Sequence, residues 1–302
     1  MKILLLGANG QVGFELARSL APLGELVCAS RDGKMPGGAA CLAADLGTPG
    51  SLADALDSTQ ADVIVNAAAY TAVDRAEDEP QLAQRINAHA LAEVGAWAAL
   101  NNALVVHYST DYVFDGRGTN PYREIDAVAP LGVYGASKLA GETALRDSGC
   151  DYLILRTAWV YAARGHNFLR TMLRLARDRD ELRIVADQHG APTPARLISA
   201  ATAAVLAQHT KRREIQVGTY HLCAADQCTW FDFAGAIFAR AQAAGLIERV
   251  PRLVPISTAD YPTPARRPAY SVLDCSKIRD AFGLHLPSWK EGLDSVIGEL
   301  AS

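Results

Sequence analysis

The residues that most constrain this chain are its opening ones, MKILLLGANGQVGFELARS. The apolar run 3–6 reads as a strand. It breaks at Gly7-Ala8-Asn9-Gly10-Gln11-Val12-Gly13 and passes at once into a helix-forming segment. Strand, glycine turn and helix in that order open a dinucleotide-binding unit, and this context says more than the glycines alone. Gly7 lets the turn close through a backbone conformation that side chains disfavour. Gly10 leaves no side chain between the helix N-terminus and a pyrophosphate, whose charge suits that end of the helix dipole. Gly13 lets the helix pack close to the strand. The spacing is G-x-x-G-x-x-G, one residue wider than the common fingerprint. Gly7, Asn9, Gly10, Gln11, Val12 and Gly13 are the candidate dinucleotide contacts. A structural turn in some other α/β protein is the competing reading.

Strands then alternate with helices. Residues 25–29, 40–44, 62–65, 104–108 and 152–156 are short, nearly continuous apolar runs. Such runs belong to parallel strands covered on both faces. The predicted fold is α/β, a Rossmann-like doubly wound parallel sheet over residues 1–160. A smaller, mainly substrate-binding α/β part spans 161–302, interleaved with the first through return segments at roughly 180–225. One strand at 220–223 is expected back in the main sheet. Residues 81–100 read as one helix, with Ile86, Ala90, Val94 and Trp97 in the core. Further helices are predicted at 167–177, 197–208 and 230–244.

With 302 residues, 50% hydrophobic and 21% charged, the chain suits one large globular domain or two modest ones. A net charge of −4 offers no broad basic surface, so no nucleic-acid partner is expected. Its six cysteines are scattered without C-x-x-C or metal-ligand spacing, which points to reduced thiols in the cytoplasm. No apolar stretch is long enough to span a bilayer, and the opening run is a strand rather than a signal peptide.

Ligands of doubly wound sheets sit beyond the carboxyl ends of the strands, and the candidates fall there. Ser30-Arg31-Asp32 end the second strand, where a ribose-reading residue belongs. Arg31 suits a 2′-phosphate and so NADPH, whereas Asp32 could take the acidic role that favours NADH. The reading leans to NADPH with NADH tolerated. Asp45 could accept from an adenine amino group with Leu46 packed on the ring, or could cap the following helix. Ala67, Ala68 and Ala69 let a cofactor lie close to the backbone.

The chemistry centres on Tyr134 and Lys138, in the run YGASK. Spacing i, i+4 at a helix start puts both side chains on one face. A phenol with an ordinary pKa of about 10 exchanges protons poorly at neutral pH. A nearby ammonium is expected to lower that value, as a general acid requires, and to bond the nicotinamide ribose. Thr110, at the end of the preceding strand, can hold a carbonyl oxygen beside the phenol. Otherwise Thr110 is a turn hydroxyl and the pair a surface feature.

GANGQVG, NAAAYTAVD, STDYVFDG, YGASKLAGE, RTAWVY and DQHGAPTPA occur in this order along the chain. With these stretches it resembles the extended short-chain dehydrogenases/reductases, and more closely the dTDP-4-dehydrorhamnose reductase family. The resemblance implies NAD(P)H-dependent reduction of the C4 ketone of a nucleotide-linked deoxyhexulose, with Thr110, Tyr134 and Lys138 catalytic and Tyr134 the proton donor. It further implies that Thr71, Val73, Tyr112 and Trp159 line the sugar pocket. Some members bind magnesium through carboxylates at a dimer contact. Glu15 could correspond, its partners are unplaced, and a homodimer stays open. Arg266 and Arg267 are candidates for the substrate pyrophosphate or for plain loop charge. His166 and His189 receive no role. Competing readings are an epimerase or dehydratase of nucleotide sugars, and a non-catalytic regulatory subunit like that of methionine adenosyltransferase.

Overall fold

The computed structural model describes residues 1–212 and 216–302. Seven strands form one sheet: β1 (Lys2–Leu6), β2 (Glu25–Ser30), β3 (Leu42–Ala43), β4 (Val63–Asn66), β5 (Leu104–Thr110), β6 (Tyr152–Thr157) and β7 (Gly218–His221). Their order across the sheet is β7-β6-β5-β4-β1-β2-β3, and every neighbouring pair is parallel. The order reverses beside β1, which has β2 on one side and β4 on the other. At such a switch point the flanking loops part and leave a crevice beyond the strand ends.

Alternate residues of each strand face opposite layers. Ile3 and Leu5 pack with Leu16 and Leu20 of the Gln11–Leu20 helix and with Ile198 and Val205 of the Ala195–Arg212 helix. Leu4 and Leu6 pack with Leu52, Leu56, Leu91 and Val94 on the other face. This two-sided burial is why β1 reads as an unbroken apolar run. A separate apolar cluster lies beyond residue 160, with Leu169, Met172, Phe233, Phe238, Trp289 and Leu293 at its centre. Beside it, Glu181–Val185 and Arg252–Ile256 pair as a parallel two-stranded sheet.

The predicted 81–100 helix is broken in the structure. Pro80–Gln84 and Ala90–Asn101 are α-helical, and Arg85–His89 between them is a π turn. The wide turn aims the buried Asn87 inward, where its carboxamide bonds both the N–H and the C=O of Tyr70 and the Ser137 hydroxyl. Ala90 and Val94 are core as expected. Ile86 and Trp97 are half-buried but pack against the same core, Ile86 also lining the crevice and Trp97 giving its indole N–H to Asp57. The extra residue of the π turn rotates every later position by about 100°, and the α-helical run before it is too short for the sequence pattern to show that jump.

The glycine turn sets the spacing of the crevice. Gly7 has φ of +79°, and a Cβ there would lie 2.6 Å from the Ala68 nitrogen on β4's extension. A Cβ on Gly13 would lie 2.0 Å from the Gly7 carbonyl oxygen. Gly13 is therefore a packing residue, and it is not among the residues that line the crevice. We expect Gly13→Val to cost more than about 2 kcal/mol in urea denaturation, because backbone on both sides must move.

Candidate active site

The crevice has a volume of about 580 Å³ and runs from the glycine turn to the start of the Val133–Asp147 helix. Gly7, Asn9, Gly10, Gln11 and Val12 line it, as do Arg31, Asp45 and Leu46. Ala67, Ala68 and Ala69 line it too. Thr110, Tyr134 and Lys138 share the same crevice with Thr71, Val73, Tyr112 and Trp159. Two expected cofactor contacts, Gly13 and Ser30, lie outside it. Ser30 is buried, its hydroxyl donating to Asp32 and accepting from the Lys34 N–H, so it shapes the turn after β2.

Asp32 is drawn to Ser30, whose hydrogen bond holds its carboxyl below the usual range. Arg31 faces the crevice and forms no ion pair among the described residues. Asp45 is also committed: its carboxylate accepts from the Gly47 N–H and the Thr48 hydroxyl, closing a turn ahead of the Ser51–Thr59 helix. Leu46 is buried at the crevice wall. The cradle fits a dinucleotide. Gly10 precedes the Gln11–Leu20 helix, and its missing Cβ would meet only the Gly7 carbonyl oxygen, at 3.3 Å.

Helix Val133–Asp147 reaches the crevice because two glycines let it close in. A Cβ on Gly135 would lie 2.2 Å from the Tyr112 carbonyl oxygen, and one on Gly141 2.0 Å from that of Asn87. Glu77 accepts from the Val133 N–H and so caps the helix start. Tyr134 sits edge-on to Tyr112, with ring centroids 5.5 Å apart.

The proton affinities differ from the sequence expectation. Loss of water around the Tyr134 phenol pushes its pKa up to about 12, against a hydrogen bond with Thr110 that pulls the other way. Lys138 does not lower it here. The Lys138 amine is buried, donates to the Tyr108 carbonyl at 2.6 Å and meets His107 Nε2 at 3.1 Å. Burial brings Lys138 itself down to about 7. The spacing of tyrosine and lysine could not disclose this, because the competing partners come from β5. Asp111, likewise buried, is raised to about 6 by desolvation. It accepts from the Thr110 hydroxyl with one oxygen, while its other oxygen is unpartnered.

Trp159 stacks on Trp230 with centroids 3.5 Å apart and planes 5° off parallel. Gly190 lies against the indole, where a Cβ would come within 2.4 Å. Trp159 itself adopts φ of +49°. Trp230 and His166 line the crevice and carried no signal in sequence. Asn66 and His107 did: each is a polar residue inside a buried strand. Arg267 pairs with Asp74 at 2.8 Å, tying its loop to the Val73–Ala76 helix, and so is no free phosphate ligand here. Arg266 is exposed. Glu15 pairs with Arg18 and Arg196. Among the described residues no three His, Cys, Asp or Glu side chains gather as a metal site, so magnesium finds no support. All six cysteines are free thiols. No helix among the described residues is long and apolar enough to cross a membrane.

A dinucleotide fold whose crevice joins Thr110, Tyr134 and Lys138 to the glycine turn defines an extended short-chain dehydrogenase/reductase, an oxidoreductase. The chain belongs to the family described as RmlD substrate binding domain, whose model matches residues 1–302. It is 49% identical over 307 aligned residues to the dTDP-4-dehydrorhamnose reductase of Burkholderia thailandensis, covering all of both chains. A solved dTDP-4-dehydrorhamnose reductase from Clostridium acetobutylicum superposes with a TM-score of 0.87 at 34% identity, covering all of both chains. One from Bacillus anthracis, in complex with NADP, gives 0.86 at 34% identity over 99% of this chain and 100% of that one.

Asp111→Asn tests the burial of the carboxyl. The native pKa near 6 lies above the unfolded value, so the stability it contributes is present below about pH 4 and is lost as pH rises through 6. Relative to the variant, the parent protein loses on the order of 3 kcal/mol between pH 4 and 7. Parallel urea melts at the two pH values measure it.

Proposed function

We propose that this protein reduces the C4 ketone of dTDP-4-dehydro-6-deoxy-L-mannose to give dTDP-L-rhamnose, using NADPH in preference to NADH. The carrying observation is that Thr110, Tyr134 and Lys138 line the same crevice as the glycine turn. The named relatives support the substrate class, and the NADP complex of the Bacillus anthracis protein supports the cofactor.

When bound, the reduced nicotinamide supplies the hydride for a ketone. The turn at 7–13 would hold the pyrophosphate against the helix N-terminus. Arg31 would pair with the 2′-phosphate, and the alanine floor would seat the nicotinamide side. Thr110 orients the ketone oxygen, and Tyr134 donates the proton that completes the alcohol. A phenol raised to about 12 keeps its proton at neutral pH until negative charge develops on the substrate oxygen. Tyr112, Thr71, Val73 and the stacked Trp159 would wall the sugar. Trp230 and Gly190 fix that indole, so the sugar meets a rigid plane.

Two substitutions check the roles. Tyr134→Phe is expected to lower kcat by about 10²–10⁴-fold, with the NADPH Kd within about threefold of the parent. Near-parental turnover with the keto-sugar would remove Tyr134 from the chemistry. Arg31→Ala is expected to raise the KM for NADPH about tenfold or more and leave that for NADH nearly unchanged, since only NADPH carries the 2′-phosphate. Equal effects on the two cofactors in steady-state assays would defeat the phosphate assignment.

A further inference from the structure

Behind Trp159 lies a chain of hydrogen bonds whose direction is fixed at both ends. An indole N–H can only donate, so that of Trp230 donates to Gln188 Oε1, 3.2 Å away. This settles the carboxamide, and Gln188 Nε2 donates to the Thr258 hydroxyl at 3.1 Å. An ionised carboxylate can only accept, so the same hydroxyl donates to Asp187 Oδ1 at 2.6 Å. Asp187 also accepts from the Thr258 N–H, at 2.9 Å on each oxygen. Asp187 follows Glu181–Val185 and Thr258 follows Arg252–Ile256, so the small parallel sheet brings the two together. Asp187 and Thr258 are exposed and Gln188 is buried, so the chain runs inward from the surface to Trp230.

Apolar contact alone does not hold Trp230 in one orientation. Its ring lies flat on Trp159 and meets Phe168 at 45°, with those centroids 4.7 Å apart. Dispersion has little direction, so stacked rings slide and turn at small cost. The bond from the indole N–H to Gln188 does have direction, and it pins the ring within its plane. We propose that Gln188 is a positioning residue for the keto-sugar: it fixes Trp230 and, through the stack, the indole of Trp159 that walls the sugar. Trp159 and Trp230 line the crevice and Gln188 does not, as befits a residue that works through another. The neighbouring backbone serves the same end. Thr229, before Trp230, pairs with His189, after Gln188, and Gly190 then lies against the Trp159 indole. Without the amide, the Trp230 N–H loses its partner in a half-buried place and the ring must turn to find another. The positioning role rests on the reductase reading, but the hold on the two indoles does not.

The test uses the full chain. Trp159 and Trp230 lie face to face, so their stack gives an exciton couplet in far-ultraviolet circular dichroism. Gln188→Met keeps the length of the side chain and removes the amide. It is expected to weaken the couplet and to raise the KM for the keto-sugar about fivefold or more, with kcat and the KM for NADPH within about twofold of the parent. Gln188→Glu keeps an acceptor for the indole N–H, toward which Thr258 can swing its hydroxyl, and is expected to restore both the couplet and the KM. An unchanged couplet in Gln188→Met, a weakened couplet with parental KM for the sugar, KM values for sugar and NADPH that rise together, or a folded Gln188→Glu that restores neither overturns the proposal. If Gln188→Met fails to fold, the ¹⁵N-labelled Trp230 indole of the parent decides. Slow exchange of its N–H with D₂O supports the hold by Gln188, and exchange as fast as that of an exposed indole overturns it. Absence of ketone reduction in the parent would sink the proposed function and leave the couplet and the exchange rate unchanged.

Discussion

Close backbone contact at the switch point governs this molecule. The turn after β1 touches the extension of β4 at Gly7 and Ala68, and the first helix rests on the turn through Gly13. Side chains at these positions would push the layers apart and close the crevice. Because the floor is backbone and alanine, a flat cofactor has room, and the groups that act on it must come from farther away. They come from the end of β5 and from a helix that two more glycines bring close.

The price of that closeness is polar burial. Lys138, His107, Asn66, Thr110 and Asp111 are all nearly inaccessible, and so are Glu142 and Arg156 behind them. Groups buried this deeply must be paired or neutral. Glu142 solves the problem by pairing, with Arg156 holding it through two hydrogen bonds. Lys138 and Asp111 solve it by shifting toward their neutral forms. In the Val133–Asp147 helix the two behaviours sit one turn apart, at Glu142 and Lys138.

Much of the fold was legible because its signals are local. The apolar run into a glycine turn placed β1 and its helix, and the parallel strands declared themselves by two-sided apolarity. Thr110, Tyr134 and Lys138, which share the crevice, could be singled out in sequence because each stands beside a strand end or helix start. Contacts between distant segments were not legible. Trp230 stacks on a residue far back in the chain, Ser30 turns toward Asp32 and away from the crevice, and a π turn hides inside a helical pattern. Lys138 is the sharpest case: its spacing suggested an ammonium serving Tyr134, yet its amine is buried against the Tyr108 carbonyl and His107 of β5, and that burial lowers its proton affinity.

The central claim is that hydride passes within this crevice to the sugar's C4 carbon while Tyr134 supplies the proton. NADPH deuterated on the transferred position of the nicotinamide tests it directly, with the product sugar analysed by NMR. The account predicts one deuterium at C4 for each NADPH oxidised. Product without deuterium at C4, or exchange of the ketone with no net oxidation of NADPH, would contradict it.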